Sequence, residues 1–396
     1  MVYLIWVILG GLALFFKNNK YVTALVFSYI AILFCFNTAN ADLNNYMLQY
    51  RGLRLYATEP LFALVSNSFL NEGASFELFR AFVAIASLSL ITWTFYKLTP
   101  YPTLALFMYS IYPLTLDVTQ LRFTIAYAIA FCGTYFLIKH QTSHKKKDVV
   151  LFFAMIILSA GFHYVTALYA ILGLIVFDIR RHRMLYLVLI PLAVVAGVSM
   201  IDKFAPIVAS VIGLHKTDLW IYTERDSSIL RIGRILIGRG LPMMFSVLTA
   251  FIAKNQMYKK IYGGGTPSVG LINPDAEKLY NPELDPHFFL NIRVNRCMFI
   301  CMFYIWVFSI LEITIAGDYE RLARLGLLLG SALITRQLFY LEKVNRSVMT
   351  VLYLAMYVLY FILVMFIMKN KAGDLYIGYV FRQVMESNGI FGITYP

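Results

Sequence analysis

Residues 149–177 read VVLFFAMIILSAGFHYVTALYAILGLIVF, and the way this stretch meets an apolar phase decides the fold. It is too long for one ordinary membrane span of about 20 residues and too short for two full spans with a loop. Lys145-Lys146-Lys147 precede it and Arg180-Arg181-Arg183 follow it. Basic clusters favour the cytoplasmic side, so both ends belong there. The stretch is therefore expected to be a hairpin of two short helices with its tip near Gly161-Phe162-His163-Tyr164. A tip reached after about 13 residues at 1.5 Å each lies inside the outer leaflet. Non-helical backbone at that depth is tolerated where it lines a protein cavity. The competing reading, one steeply tilted helix, reverses every later loop and leaves the basic clusters on the wrong side.

The rest of the chain agrees with a membrane solvent. Of the 396 residues, 60% are hydrophobic and 14% charged, against roughly 45–50% and 25% in soluble domains. Further apolar spans are expected at 2–16, 21–36, 76–96, 103–116, 123–138, 184–200, 229–253, 298–315, 323–340 and 348–368. The start, Met1–Phe16, lacks a basic n-region and a cleavage site, so it reads as a retained first helix. The net charge of +13 is explained by short basic loops rather than by nucleic acid: Lys17/Lys20, Lys97, Lys139, Lys254/Lys259/Lys260 and Lys343/Arg346 fall on one side. The expectation is an all-α, polytopic helical bundle of about 12 transmembrane or re-entrant helices. It forms a single transmembrane domain over 1–396, with external loops 37–75 and 201–228 and a cytoplasmic loop 254–292. The C-terminal tail comes out external, although Lys369 and Lys371 fit that side poorly. The four cysteines lie in apolar stretches without disulfide or metal spacing and read as packing residues.

This topology gathers the unusual polar residues on the external face. Asp42, Tyr46 and Tyr50 are spaced i, i+4, i+8 and share one helical face, either as a sugar-binding strip or as an interfacial aromatic belt. Glu59-Pro60 opens an amphipathic segment expected along the membrane surface. Asp117, Gln120 and Arg122 occupy a short outer turn, where Arg122 either snorkels or binds an anion. The second external loop carries Tyr222 among several charged residues. Tyr46, Tyr50, Glu59 and Tyr222 form the candidate sugar-binding set.

Arg231, Arg234 and Arg239 fall within an arc of about 140° on the helix that follows. Each costs at least about 2.5 kcal/mol at mid-membrane depth, so they do not face lipid. Too few acids neighbour them, though Glu77 and Glu312 could each pair with one. Unbalanced arginines in a membrane cavity point to an anion, and phosphate suits the guanidinium fork. Arg321 and Arg324 lie at the last outer turn, where Asp318 and Glu320 are alternative partners. His163, the one histidine placed in the membrane, is either a packing residue or a general base or donor beside a phosphate. Gly263-Gly264-Gly265 lacks the Lys-Ser/Thr of a P-loop, and no His-Glu-x-x-His or Cys/His cluster occurs, so neither cofactor nor metal is expected. No paired inward carboxylates or internal repeats suggest a driven transporter.

In order, the chain carries Asp42…Tyr46…Tyr50, Glu59-Pro60-Leu61-Phe62, Gln120-Leu121-Arg122-Phe123-Thr124-Ile125-Ala126 and Ala160-Gly161-Phe162-His163-Tyr164-Val165-Thr166-Ala167-Leu168. This series resembles the EpsG-type branch of the Wzy polysaccharide polymerases, with its Asp/Tyr-rich loop, Glu-Pro, Arg-x-x-x-Ala and Phe-His-x-x-Ala hairpin motif. The resemblance covers roughly the first 180 residues; beyond them Arg321 resembles a late family arginine. After Arg122 the chain has Phe-Thr where the family often has Gln, and Tyr-Val separates His163 from Thr166. The resemblance implies a GT-C-like bundle in the bacterial cytoplasmic (inner) membrane, crossing it many times. It implies transfer of a glycan from one undecaprenyl-pyrophosphate carrier to a sugar hydroxyl of another lipid-linked repeat unit, in O-antigen, capsule or exopolysaccharide synthesis. Partners would be those lipid-linked oligosaccharides, the bilayer, a flippase and a chain-length regulator, without nucleic acid. Arg122, Arg231 and Arg234, supported by Arg239, Arg321 or Arg324, would hold the pyrophosphate, and His163 or Asp42 would activate the acceptor. The rivals are an O-antigen ligase-like glycosyltransferase, a transporter of polysaccharide precursors and a membrane scaffold.

Overall fold

The computed structural model describes residues 1–40, 42–52, 59–176, 248, 294–305, 322–340, 343–368 and 377–391. Among them every element is helical, and the sole extended pairing is an isolated bridge between Asn37 and Asn388. In chain order, α1 (Val2–Phe15), α2 (Lys20–Cys35), α3 (Leu43–Tyr50), α4 (Pro60–Asn71) and α5 (Phe76–Leu98) lead to α6 (Pro102–Ile111), α7 (Leu114–Thr119), α8 (Leu121–Ser143) and α9 (Lys146–Phe162). A 3-10 arm (Tyr164–Val176) follows. Later come α10 (Val294–Ile305), α11 (Ala323–Tyr340), α12 (Lys343–Met368) and α13 (Ile377–Glu386).

The decisive stretch is a hairpin. The helix α9 ends at Phe162, His163 is extended, and the 3-10 arm runs back along α9. A Cβ on Gly173 would lie 2.4 Å from the Phe153 ring, so residues ten positions either side of His163 sit face to face. Near the open end, the Gln141 side chain donates to the Ile175 carbonyl at 3.1 Å. The hairpin packs chiefly on α8, where the small Gly133 admits Met155 closely. Of the remaining spans, 323–340 coincides with α11, and α1, α2, α5, α8 and α12 match within a few residues. The expected span 103–116 is instead broken in two. Pro113 lacks an N–H and holds Tyr112 out of the helical region (φ −166°, ψ 129°), so α6 stops at Ile111 and α7 starts afresh. The spans expected at 184–200 and 229–253, and the loops 201–228 and 254–292, lie outside the described residues, apart from Leu248.

Among the described residues, two helices, Phe76–Leu98 and Leu121–Gln141, are long and apolar enough to cross a membrane, and six shorter apolar helices accompany them. Their burial pattern shows which medium surrounds them. All of α6 and most of α8 are enclosed by protein. The outer helices instead display large apolar stripes: Leu4, Val7 and Ile8 on α1; Leu78, Phe82 and Ile85 on α5; Val150, Phe153 and Ile157 on α9; Val351, Leu352 and Leu359 on α12. Apolar faces repeated on several sides of a bundle are costly in water and match lipid tails. This is a membrane protein.

The helices sort charge between two ends. At one end Lys17 donates to Thr350, Arg336 to the Leu98 carbonyl and Arg346 to the Phe339 carbonyl, with Lys139 and Lys145-Lys146-Lys147 at the α8–α9 turn. At the other end lie Asn37, Glu59, Asp117, Arg122, His163 and Arg324. Residues 387–391 join this second end: Thr38 N–H donates to the Ser387 carbonyl, and Asn37 reaches the carbonyls of Gln383 and Ser387. The segment after α13 therefore lies beside the 37–40 loop.

Candidate functional site

Three motif residues far apart in sequence meet at this second end. Glu59 precedes Pro60, which holds it in an extended conformation (φ −58°, ψ 141°) as the N-cap of α4. Its carboxylate makes no cap hydrogen bond and turns to α8. There Arg122 Nη1 donates to Glu59 Oε2 at 2.9 Å. Glu59 Oε1 faces His163 Nδ1 at 3.9 Å. The Glu59 side chain is 8% exposed and that of Arg122 22%, so the guanidinium is the more open partner. Arg122 also lies over the Tyr46 ring, 5.9 Å from its centroid.

His163 is fixed by its backbone. Its N–H donates to the Ser159 carbonyl, and its own carbonyl receives the Thr166 N–H and hydroxyl. The Ser159 hydroxyl lies 2.7 Å from both Thr166 Oγ1 and the carbonyl of Ala126. Ala126 stands one turn beyond Arg122 and is fully buried, so the small residue of the Arg-x-x-x-Ala pattern lets the hairpin approach α8. Gly161 does the same on the opposite side: a Cβ there would lie 2.4 Å from Leu61 Cδ1 of α4. The imidazole meets the Phe123 ring edge-on at 5.3 Å and stacks on Tyr164 at 5.5 Å.

Behind this trio sits a buried ionic cluster. Arg324, 2% exposed, donates through Nη1 to Asp117 Oδ1 at 3.1 Å and through Nη2 to Gln120 Oε1 at 2.7 Å. Asp117 Oδ2 accepts from the hydroxyls of Tyr109, at 2.7 Å, and Tyr127. Arg324 lies 5.3 Å from the Phe123 centroid, so Phe123 separates the two charged groups. These bonds tie α6, α7, α8 and α11 together at the turn that presents Arg122. Tyr169 of the 3-10 arm adds a bond to the Leu322 carbonyl at 2.8 Å.

The structure thus sorts the expected site residues. It joins Arg122, His163, Glu59 and Tyr46. Glu59, read from sequence as a sugar contact, is the ionic partner of Arg122. The donors of Arg324 go to Asp117 and Gln120, within the interior. Tyr50 gives its hydroxyl to the Ala74 carbonyl at 2.9 Å and stacks on Phe79 at 5.3 Å, so its face of α3 is packed inward. Asp42 is half-buried at the start of α3, one turn from Tyr46. Tyr222, Arg231, Arg234, Arg239 and Arg321 lie outside the described residues, as does Glu312. Glu77, considered as a partner for one of those arginines, has Arg80 and Arg51 nearby.

Sequence reasoning missed Arg80. It is buried and donates to the carbonyls of Asn37 at 2.5 Å and Cys35 at 2.8 Å, neutralising the C-terminal end of α2. Its position in the second turn of an otherwise apolar span was the available signal. Among the described residues no cluster of His, Cys, Asp and Glu could hold a metal ion.

No curated protein and no solved structure matches the chain significantly. The EpsG family, however, matches residues 20–381, nearly the whole length and well beyond the motifs of the first 180 residues, and the chain belongs to that family.

Proposed function

We propose that this chain is a membrane polysaccharide polymerase. It moves a glycan from one undecaprenyl-pyrophosphate carrier onto a sugar hydroxyl of a second lipid-linked repeat unit, at the outer face of the bacterial cytoplasmic membrane. The observation that carries the reading is the convergence of Arg122, Glu59 and His163 at the bundle end opposite the basic loops. Family membership supports it, and the positive-inside tendency makes the basic end cytoplasmic and the site end external. In this reading Arg122 binds the pyrophosphate leaving group. A guanidinium aimed where negative charge develops stabilises the transition state without a metal. His163 takes the proton of the attacking hydroxyl, and a mobile proton acceptor near neutrality suits that step. Arg231, Arg234, Arg239 and Arg321 remain proposed further pyrophosphate ligands, Tyr46 and Tyr222 proposed sugar contacts, and Asp42 an alternative base. Arg324 is assigned here to the framework that orients Arg122.

Complementation of a polymerase-deficient strain tests the reading. Arg122→Ala and His163→Ala should each collapse the surface-polysaccharide ladder to a single repeat unit while membrane levels of the protein hold. Normal ladders from both variants would overturn it.

A further inference from the structure

Glu59 divides its two oxygens between partners of different kinds. Oε2 accepts from Arg122 at 2.9 Å, and Oε1 faces His163 Nδ1 at 3.9 Å. A carboxylate this enclosed needs a cation, and Arg122 supplies it. Its side chain makes no cap bond to α4, and the hydrogen bond described for it is the one to Arg122. The carboxylate therefore occupies the place on Arg122 that an anionic ligand would take.

We propose that Glu59 is a resident stand-in for the anionic substrate: a lipid-linked pyrophosphate displaces it from Arg122, and the released carboxylate closes onto His163. The proposal rests on the transferase reading above and adds how the site is switched on. Pyrophosphate carries more charge than a carboxylate and offers bidentate geometry to a guanidinium, so it wins Arg122. Closing 3.9 Å to a hydrogen bond takes a shift of only about 1 Å, which side-chain rotation supplies. His163 Nδ1–H then donates to Glu59, leaving the lone pair on Nε2. The acceptor hydroxyl gives its proton to Nε2 as its oxygen bonds to the anomeric carbon of the donor. The bond from that carbon to the pyrophosphate oxygen breaks, its electron pair leaving with the pyrophosphate held by Arg122. Glu59 pairs with the imidazolium that results. Glu59 ahead of α4, Phe123 from α8 and Tyr164 beside it in the chain face His163, and Arg122 is the cation held on the same carboxylate. The base is complete only when the donor is bound, so the empty site does not activate water.

The test uses full-length protein in detergent, with inorganic pyrophosphate as the titrant. Glu59→Gln, which removes the competing charge and keeps the shape, should tighten pyrophosphate binding about tenfold, the equivalent of roughly 1.4 kcal/mol. The same variant should lose polymer in cells. A purely structural role would not raise affinity while abolishing product. Arg122→Gln should remove the binding. Glu59→Asp, which keeps the charge but shortens the reach, should give a smaller gain in affinity and carries the test if the first variant misfolds. Unchanged or weaker binding by Glu59→Gln, with binding still lost in Arg122→Gln, overturns the stand-in role alone. Tighter binding with a normal polymer ladder overturns the hand-over to His163. Absence of binding by both wild type and Glu59→Gln overturns the stand-in and the pyrophosphate reading together.

Discussion

At the scale of single residues, two arginines illustrate how burial divides labour. Arg122 and Arg324 stand close to opposite faces of the same region, the first partly open and the second enclosed. Breaking a buried pair strands a charge at about 3–5 kcal/mol. Arg324→Ala should therefore lower the amount of folded protein recovered from membranes and its melting temperature in detergent. Arg122→Ala, which leaves Glu59 only His163 as a neighbouring partner, should lose less on both counts because its pair is more open, while abolishing polymer. Measuring expression and thermal unfolding of the two variants side by side checks the division. Equal losses of stability would mean that Arg122 too is structural. The contrast was not legible in the sequence. Both residues read as external cations near short turns, and only the fold reveals that Asp117, 207 positions away, already occupies Arg324. The pairing of Glu59 was hidden for the same reason: its partner lies 63 residues downstream, beyond any local pattern.

At the scale of elements, the hairpin tip depends on glycine for space rather than for backbone freedom. Gly161→Ala would drive a methyl into Leu61, and such overpacking costs about 1–3 kcal/mol. The substitution should reduce activity by shifting His163 against Arg122. Trimming the neighbour in Gly161→Ala/Leu61→Ala should restore much of it. A double-mutant cycle on thermal stability measures the coupling, and simple additivity would count against the contact. Most elements could be read in advance because hydropathy and basic ends mark a span directly. The hairpin followed from its length and its two basic flanks, both local quantities. The break at Pro113 was also written in the chain, but the apolar run across it outweighed the proline in the reading of 103–116. Arg80 escaped because its acceptors are carbonyls of another helix, and carbonyls leave no mark in a sequence.

At the scale of the whole molecule, the separation of a basic end from the end that holds Glu59, Arg122 and His163 makes a sidedness prediction. In a cysteine-free background, Ser68→Cys and Ile390→Cys should react with a membrane-impermeant thiol reagent from outside the cell. Lys146→Cys should react only after the membrane is opened. All three positions are exposed, and the four native cysteines that the background removes are buried. Labelling of Ile390→Cys from the same side as Lys146→Cys would contradict the placement of the 387–391 segment.

The junction of Asn37 with the segment around Asn388 also bears on how the chain is made. Asn37 bonds to a carbonyl 350 positions later in the sequence. At about 5–20 residues per second, a ribosome needs roughly 20–70 s to supply that partner. For this interval the 37–40 loop, and α3 beyond it, leave the translocation machinery without their final anchor. The end of the bundle that holds Glu59, Arg122 and His163 is consequently the last part to be secured, although the sequence that forms most of it is synthesised first. Enzymatic competence should lag behind insertion, arriving only once the newest residues have folded back onto the oldest.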